Sequence, residues 1–435
     1  TLSSSSAASD VYKRQAYTIH KQLGGKFVNY AGYLLPVSYQ NTRFSNLNLN
    51  NNQNKRKTSE PKNIKGGVLT ETLNTRDKNK CSLFDVSHMG QYRIYGRDKK
   101  DFLDNLLASD ILNLSKNKSI LSVFTNDNGG IMDDVIVSNQ GDYINLVCNA
   151  SNKMKIQYHL ENCKEGDVYI NYNNEQQLYA LQGPQSLNVL NSILKDYQVN
   201  DNILNGINSG KFMTHIPISI NNYLCHIYIQ GYTGEKGVEI SIPDTMAEIF
   251  FSNLLEQDGV HLAGLGSRDI LRLEAGYCLY GLDIDESINI LESQMSWILG
   301  KNVNKGNIQC KRQRHNFPGS NIILHEDGEI NYSNFKKVRT GLISETKGII
   351  PKQNNVIYSN VNLKGESNKE IGYITSGGYS PHINKNIAMG YIDLTKTYNN
   401  LQKQDISYNK INSPVKVKGK KQLYPYKITT LPILS

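Results

Sequence analysis

The sequence has few features that would support a membrane-spanning helix, a disulfide framework or a metal site. No apolar run in the 435-residue chain approaches the roughly 18 residues that a membrane-spanning helix needs, which predicts a soluble protein with no membrane partner. The six cysteines have no Cys-x-x-Cys spacing and no histidine at ligand distance. We therefore expect buried thiols in a reducing compartment, and neither disulfides nor a metal.

The charge balance is basic but does not decide the class of partner. Lysine and arginine number 48 against 39 aspartates and glutamates, which gives a formal net charge of +9. Such a charge suits an anionic ligand, an acidic protein partner or a nucleic acid. The lysines are spread along the chain and no basic run is interleaved with aromatic residues, so nucleic-acid binding is the weaker alternative.

The length allows two or three domains. Residues 1–16 have no periodicity and are set aside as a leader or an assembly scar. Residues 17–305 are expected to form one region, interrupted at about 40–66 by a disordered Asn-rich insertion. The basic segment Lys301–Arg314 indicates a boundary, and the short strands of 306–435 predict a C-terminal antiparallel barrel.

A β-hairpin is predicted where the pair Gly129-Gly130 separates two apolar runs. Asp133 and Asp134 open its second strand, where aspartate is disfavoured. Side chains alternate between the two faces of a strand, so the pair is predicted not to point into one site, and parity does not choose between the two acids. For an isolated Asp-Asp pair, two solvated surface residues are the more common outcome.

A strand with one polar side chain is predicted after the glycine-rich loop Gly231–Gly237. The loop lets the backbone approach a ligand closely, but it lacks the Gly-Lys-Ser/Thr of a phosphate loop. Val238, Ile240 and Ile242 form the apolar face of the strand. If that face is core, Glu239 points into a cleft or into solvent, and a structural salt bridge is the alternative.

Two arginines break local rules on a helix predicted to begin after an N-cap at Ser267 and to end at Gly276. Arg268 lies in the first turn, where the helix dipole disfavours a cation, and it is spaced i,i+4 from Arg272. A bound anion or a carboxylate from elsewhere would explain both departures. An intrahelical Asp269–Arg272 pair is the alternative, and it accounts for Arg272 only.

Six short motifs occur in a specific order along the chain. They are Leu83–Gly90, Gly129–Asp134, Leu181–Pro184, Gly231–Glu235, Arg268–Gly276 and Thr375–Gly377. In this order they resemble the T-protein family of the glycine cleavage system, the tetrahydrofolate-dependent aminomethyltransferases. Each motif alone is weak, whereas the ordered set is specific and runs from about Leu23 to the C-terminus.

The resemblance implies a fold and a reaction. The implied fold is α+β, a three-lobed cloverleaf that binds folate, with a C-terminal antiparallel β-barrel as one lobe. The implied reaction of glycine catabolism moves the one-carbon unit from aminomethyl-lipoyl H-protein to tetrahydrofolate, giving 5,10-methylenetetrahydrofolate, ammonia and dihydrolipoyl H-protein. It needs no metal, involves the other glycine cleavage proteins transiently, and takes place in mitochondria.

The resemblance also assigns roles to residues. Asp134 matches the key acid of the family, which could orient the nucleophilic nitrogen of folate and handle its proton. Glu239 matches a residue that accepts two adjacent N–H groups of the pterin, and Arg268 matches a substrate-binding arginine. Three further residues match positions that line the family's cavity: Asn149, Tyr232 and Tyr277.

The chain departs from the family pattern near the hairpin and just before the glycine-rich loop. Leu121 stands where tyrosine is frequent, and Ile229 followed by Gln230 stands where an arginine usually precedes the glycine-rich loop. A non-catalytic folate-binding relative of the same fold is the alternative function. The Lys-Gly-Cys motif of the iron–sulfur-maintenance branch is not found in the sequence, which argues against that branch.

Overall fold

The computed structural model describes residues 12, 14–43, 64–304, 307–310, 316–359, 369–397, 414–420 and 422–434. Most of the predicted leader and residues 44–63 of the predicted disordered insertion lie outside this part of the chain. Within the described residues no helix is long and apolar enough to cross a membrane.

The described chain contains short helices and many strands. The α-helices are α1 Tyr17–Gln22, α2 Val68–Arg76, α3 Lys99–Leu106, α4 Lys153–Asn162, α5 Ser186–Asp196, α6 Asp201–Ser209, α7 Asp244–Leu255, α8 Leu265–Glu274, α9 Ser320–Ile323 and α10 Leu394–Thr397. The strands of the first half are β1 Gly25–Tyr30, β2 Tyr33–Tyr39, β3 Asn41–Arg43, β4 Ile64–Lys65, β5 Cys81–Asp85, β6 Gly90–Tyr95, β7 Lys118–Thr125, β8 Ile131–Asn139, β9 Ile144–Cys148, β10 Tyr169–Tyr172, β11 Gln176–Gln182 and β12 Thr214–Ile220. Those of the second half are β13 Tyr223–Ile229, β14 Gly237–Pro243, β15 Val260–Leu262, β16 Lys301–Asn304, β17 Asn307–Cys310, β18 Lys337–Ser344, β19 Val356–Ser359, β20 Glu370–Ser380, β21 Lys385–Asp393, β22 Pro414–Lys418 and β23 Leu423–Thr429.

The chain divides into two compact units, each drawn from separate stretches. The first unit takes the described residues of Thr1–Met89, Asn173–Gly231 and Glu235–Asp269. The second unit takes those of Gly90–Tyr172, Tyr232–Gly234 and Ile270–Ser435. The domain boundary expected near residue 305 stays a prediction, and β16 and β17 pair with each other there.

The first unit is built on strands hydrogen-bonded in the order β12-β13-β14-β11-β5-β15. Neighbours are antiparallel except for the parallel pair of β5 and β15. Val238, Ile240 and Ile242 of β14 belong to the apolar core of this unit. The expected core face of that strand is therefore confirmed, and Glu239 lies on the opposite face.

The Asn-rich insertion is more ordered at its ends than the sequence predicts. Strands β3 and β4, which flank residues 44–63, pair antiparallel. The backbone N–H of Gly66 donates to the carbonyl of Gln40 at 2.7 Å. The expectation of disorder is thus wrong for the two ends of the insertion, because backbone pairing there does not depend on apolar side chains.

The second unit contains strands hydrogen-bonded in the order β10-β6-β9-β8-β7, all antiparallel. The predicted hairpin is confirmed as β7 and β8. The side-chain oxygen of Asn126 accepts hydrogen bonds from the backbone N–H groups of Asn128 and Gly130 and so closes the turn. Gly129 has a φ of 77°, and a Cβ on Gly130 would lie 1.9 Å from the carbonyl oxygen of Glu286. Both glycines are therefore required by the backbone.

The C-terminal part of the second unit is a closed barrel with strand order β18-β21-β20-β19-β22-β23. Its pairs are antiparallel, and its apolar side chains join a core that also contains Val123 and Ile131 of the hairpin. The prediction of an α+β protein with a C-terminal antiparallel barrel is confirmed.

Candidate active site

The two aspartates of the hairpin meet at one side-chain amide. Along β8, buried and half-buried residues alternate, so Asp133 is fully buried and Asp134 is half-buried. The side-chain nitrogen of Asn149 lies 2.8 Å from Oδ1 of Asp133 and 2.6 Å from Oδ1 of Asp134. An amide NH₂ carries two hydrogens, so Asn149 donates one to each carboxylate.

The two acids thus lie on opposite faces of β8, as strand parity predicts, and yet they share one hydrogen-bond donor. Strand parity fixes the direction of each Cβ, but β9 pairs with β8 only from Ile136 onward. Asn149 follows the last residue of β9, beyond the paired part, and from there its side chain reaches both carboxylates.

Asp133 receives further donors from the same loop. The backbone N–H of Asn149 donates to its Oδ2 at 3.1 Å, and the side-chain nitrogen of Asn152 donates to its Oδ1 at 2.7 Å. Burial raises the pKa of Asp133 to about 7, the charge of Asp134 adds to the rise, and the asparagine hydrogen bonds oppose it. Burial also raises the pKa of Asp134 to about 6, again against the hydrogen bond from Asn149. Both carboxyl groups therefore titrate near neutrality, where a group can both take and release a proton.

A lysine lies beside this pair. The Nζ of Lys155 on α4 donates to the carbonyl of Met132 at 2.7 Å, and it lies 2.9 Å from both Tyr280 Oη and Glu286 Oε1. The backbone carbonyl that it binds belongs to the residue immediately before Asp133. Lys155 thus anchors the strand at the position where the acids begin.

Tyr232 and Tyr277 are stacked. Their ring centroids are 5.7 Å apart with an interplanar angle of 18°. The hydroxyl of Tyr232 donates to the backbone carbonyl of Cys278. Burial raises the pKa of the Cys278 thiol to about 12, and the charge of Asp134 contributes to that rise, so this part of the chain lies within the electrostatic reach of Asp134.

Glu239 is hydrogen-bonded to Gln230, one of the residues at which the chain departs from the family pattern. The side-chain nitrogen of Gln230, the first residue after β13, donates to Oε2 of Glu239 at 2.7 Å. Tyr228 lies directly across from Glu239 in the β13–β14 ladder. The salt-bridge alternative for Glu239 is not observed among the described residues, and a neutral amide takes that place.

The two arginines of α8 have different surroundings. Arg272 is fully buried and binds the carboxylate of Asp283, and its guanidinium also donates to Ser376 Oγ at 2.9 Å. The carboxylate from elsewhere that the sequence predicts is therefore found for Arg272, and it belongs to Asp283. Arg268 is half-buried in the first turn.

The predicted N-cap of α8 is wrong. The helix begins at Leu265, so Ser267 is its third residue, and the Ser267 hydroxyl donates to the carbonyl of Gly264 at 2.9 Å. The backbone N–H of Gly264 donates instead to Oε2 of Glu71 at 2.9 Å. Glu71 belongs to a distant stretch of the chain, and its charge suits a helix N-terminus.

Comparison with known proteins identifies the family. The family model described as the GCVT N-terminal domain matches residues 16–303, and that of the glycine cleavage T-protein C-terminal barrel domain matches residues 337–434. The mitochondrial aminomethyltransferase of Dictyostelium discoideum is 34% identical over 89% of this chain and 86% of its own length. That of Mus musculus is 36% identical over 89% of this chain and 84% of its own length.

A solved structure of the same family has a similar fold. The crystal structure of glycine cleavage system aminomethyltransferase T from Bartonella henselae superposes with a TM-score of 0.75 at 26% identity, covering 98% of each chain. The chain belongs to the T-protein family of glycine cleavage aminomethyltransferases. The predicted function, aminomethyl transfer in the glycine cleavage system, is thereby confirmed. The relatives are named as mitochondrial enzymes, which confirms the predicted location.

The structure brings some of the predicted site residues together within each unit. In the second unit, Asp134 contacts Asn149, and Tyr232 contacts Tyr277. Glu239 and Arg268 belong to the first unit. Sequence reasoning missed the contacts of three residues: Asn152, Lys155 and Gln230. Asn152 could have been suggested by its spacing of three from Asn149, since the two residues bracket one turn of the 3₁₀ helix Ala150–Asn152 that leads into α4.

Proposed function

We propose that this chain is the tetrahydrofolate-dependent enzyme of its family and that it acts on aminomethyl-lipoyl H-protein. The one-carbon unit goes to tetrahydrofolate as 5,10-methylenetetrahydrofolate, and ammonia and dihydrolipoyl H-protein are released. The observation that carries this proposal is the pair Asp133 and Asp134 held by Asn149. Two buried carboxyl groups on one amide, with pKa values raised towards neutrality, lower the stability of the fold. Such raised pKa values are typical of groups that transfer protons at an active site.

Asp134 is the proton-handling residue in this proposal. Its half-buried carboxylate faces away from the core side of β8, whereas Asp133 is fully buried. Asn149 fixes the orientation of the Asp134 carboxylate through a 2.6 Å hydrogen bond. In the ionised form Asp134 would accept a hydrogen bond from the attacking amine of folate and take its proton as ammonia leaves.

Glu239 is the proposed binding residue for the pterin. Folate offers an exocyclic amine beside a ring N–H, and one carboxylate can accept both. In the described part of the chain, Gln230 is the protein side chain that donates to the Glu239 carboxylate, and it uses Oε2. A carboxylate has about four acceptor positions, so Glu239 retains capacity for the two ligand donors.

Tyr232, Tyr277 and Arg268 complete the proposed substrate contacts. The stacked tyrosines offer an aromatic surface, of which Tyr277 is 38% exposed. Arg268 adds a half-buried cation for an anionic part of the substrate. The net charge of +9 supports H-protein as the partner if its docking face is acidic.

The proposal is tested by mixing the full chain with aminomethyl-loaded H-protein, with and without tetrahydrofolate, and measuring ammonia and methylenetetrahydrofolate. We expect both products only when tetrahydrofolate is present. Glu239→Gln should weaken tetrahydrofolate binding by about 10-fold or more, because a charge-assisted pair of hydrogen bonds becomes neutral. Tight folate binding without turnover by the wild-type chain would instead support the non-catalytic alternative.

A further inference from the structure

Gln230 has one side-chain atom paired and one unpaired. The residue is 6% exposed and follows directly after β13. Its Nε2 donates to Glu239, whereas its buried Oε1 has no hydrogen-bond partner within the described chain. Buried polar atoms are normally paired, so the carbonyl oxygen of this amide has capacity for a donor that the described residues do not provide.

The orientation of the amide follows from its neighbour. A carboxylate only accepts hydrogen bonds, so the Gln230 atom that faces Glu239 must be the nitrogen. Flipping the amide would place its oxygen against a negatively charged oxygen and leave the nitrogen without that acceptor. The unpaired acceptor is therefore two covalent bonds from the nitrogen that contacts Glu239.

The backbone around Gln230 is fixed by hydrogen bonds from the side chain of Gln182. The side-chain nitrogen of Gln182 donates to the carbonyl of Gln230 at 3.1 Å and to that of Val238 at 3.2 Å. A Cβ at Gly231 would lie 1.8 Å from Oε1 of Gln182, so any other residue there would have to displace the amide that binds these two carbonyls. The Gln230 amide and the Glu239 carboxylate are thus adjacent groups on a fixed backbone, on the face of β14 opposite the core.

We propose that Gln230 is a specificity-determining residue whose Oε1 accepts the second hydrogen of the exocyclic amine of the pterin. This inference rests on the proposed folate site at Glu239. The carboxylate takes one hydrogen of that amine together with the ring N–H, and the neighbouring amide oxygen takes the other. The pair therefore recognises an unsubstituted amino group, and it discriminates against ligands in which that group carries a methyl substituent.

The test compares tetrahydrofolate with its 2-methylamino analogue by isothermal titration calorimetry. The analogue keeps one N–H for Glu239 and replaces the hydrogen assigned to Gln230. We expect the wild-type chain to bind the analogue about 10-fold more weakly than tetrahydrofolate. In Gln230→Ala the two ligands should bind within about twofold of each other, because the acceptor is gone and the methyl group has space.

Gln177 provides a matched control. It is also buried, its nitrogen donates to Asp244 at 2.5 Å, and its Oε1 also has no partner within the described chain. Gln177→Ala should keep the 10-fold preference of the wild type. Gln230→Met, which keeps the length of the side chain, replaces Gln230→Ala if circular dichroism shows that the latter is unfolded.

The outcomes separate this inference from the proposed function. Equal affinity of the wild type for both ligands overturns the role of Gln230, and so does an unchanged preference in the Gln230 variant. In either case tetrahydrofolate binding that depends on Glu239 would leave the folate site intact. If the wild type does not bind tetrahydrofolate, the proposed function itself fails.

Discussion

The side-chain nitrogen of Asn149 lies 2.6 Å from Oδ1 of Asp134 and also contacts Asp133. One neutral amide thus links two carboxyl groups that burial has moved towards neutral pKa values. Because they are adjacent and interact, the two groups titrate as a pair. The charge of Asp134, the acid that we assign to proton handling, therefore raises the pKa of Asp133.

Asp133→Asn should leave the acid limb of the pH dependence of turnover in place. If Asp134 acts in its ionised form, kcat falls as the pH drops through its pKa of about 6. Asp133 has the higher pKa, about 7, so it is still protonated and uncharged at that pH, and a neutral asparagine removes no charge there. Profiles of kcat from pH 5 to 8.5 check this. The substrates are the same for both proteins, so their own titration cannot cause a difference, and a limb displaced to lower pH would contradict this order of ionisation.

The same pair should make stability depend on pH. The pKa of Asp133 is about 7 in the folded chain, above its unfolded value near 4. Between these values the folded state binds more protons than the unfolded state, so the free energy of unfolding falls as the pH rises. From pH 5 to pH 8 this loss should be roughly 1–3 kcal/mol larger in the wild type than in Asp133→Asn. Urea unfolding at both pH values measures it, and parallel pH dependences would count against the raised pKa.

The two arginines of α8 should respond differently to truncation. Arg272→Ala leaves the buried Asp283 carboxylate without its cation, which should lower the free energy of unfolding by about 3–5 kcal/mol. Arg268→Ala should cost less than about 1 kcal/mol in stability, because the side chain is half-buried, but it should raise a substrate KM by about 10-fold. Chemical unfolding and steady-state kinetics of both variants separate these effects. A large loss of stability in Arg268→Ala with an unchanged KM would instead show that Arg268 has a structural role.

Tyr232 offers a test that separates ring and hydroxyl. Tyr232→Phe keeps the stack on Tyr277 and loses the hydrogen bond to the Cys278 carbonyl, so we expect the KM for tetrahydrofolate to change by less than about threefold. Tyr232→Ala removes the aromatic surface and should raise this KM by about 10-fold. If the phenylalanine variant is as weak as the alanine variant, the hydroxyl is the important group.

Local patterns predict the elements that carry the site. The glycine pair with its flanking apolar runs predicts the hairpin of Asp133 and Asp134, because turn chemistry and strand periodicity are both local. The alternation around Glu239 predicts its position opposite the core for the same reason. The residue roles follow from the family resemblance alone, since spacing by itself favours two solvated surface acids.

Contacts between distant stretches were not predictable in this way. Ser267 has the residue type of an N-cap, yet Glu71 binds the backbone at Gly264, the residue immediately before the true start of the helix. The helix pattern likewise indicates a carboxylate from elsewhere for its arginines, but it does not show that Asp283 is the one that binds Arg272. Each case depends on a carboxylate that the fold brings in, and helix rules consider only neighbours along the chain.

The most direct test of the central claim is turnover of aminomethyl-loaded H-protein by Asp134→Asn beside the wild type, with tetrahydrofolate affinity measured for both. We expect kcat to fall by about 10²- to 10⁴-fold while the dissociation constant for tetrahydrofolate stays within about threefold, because the amide keeps the shape but cannot take the proton. An Asp134→Asn enzyme that forms methylenetetrahydrofolate as fast as the wild type would contradict the role of Asp134.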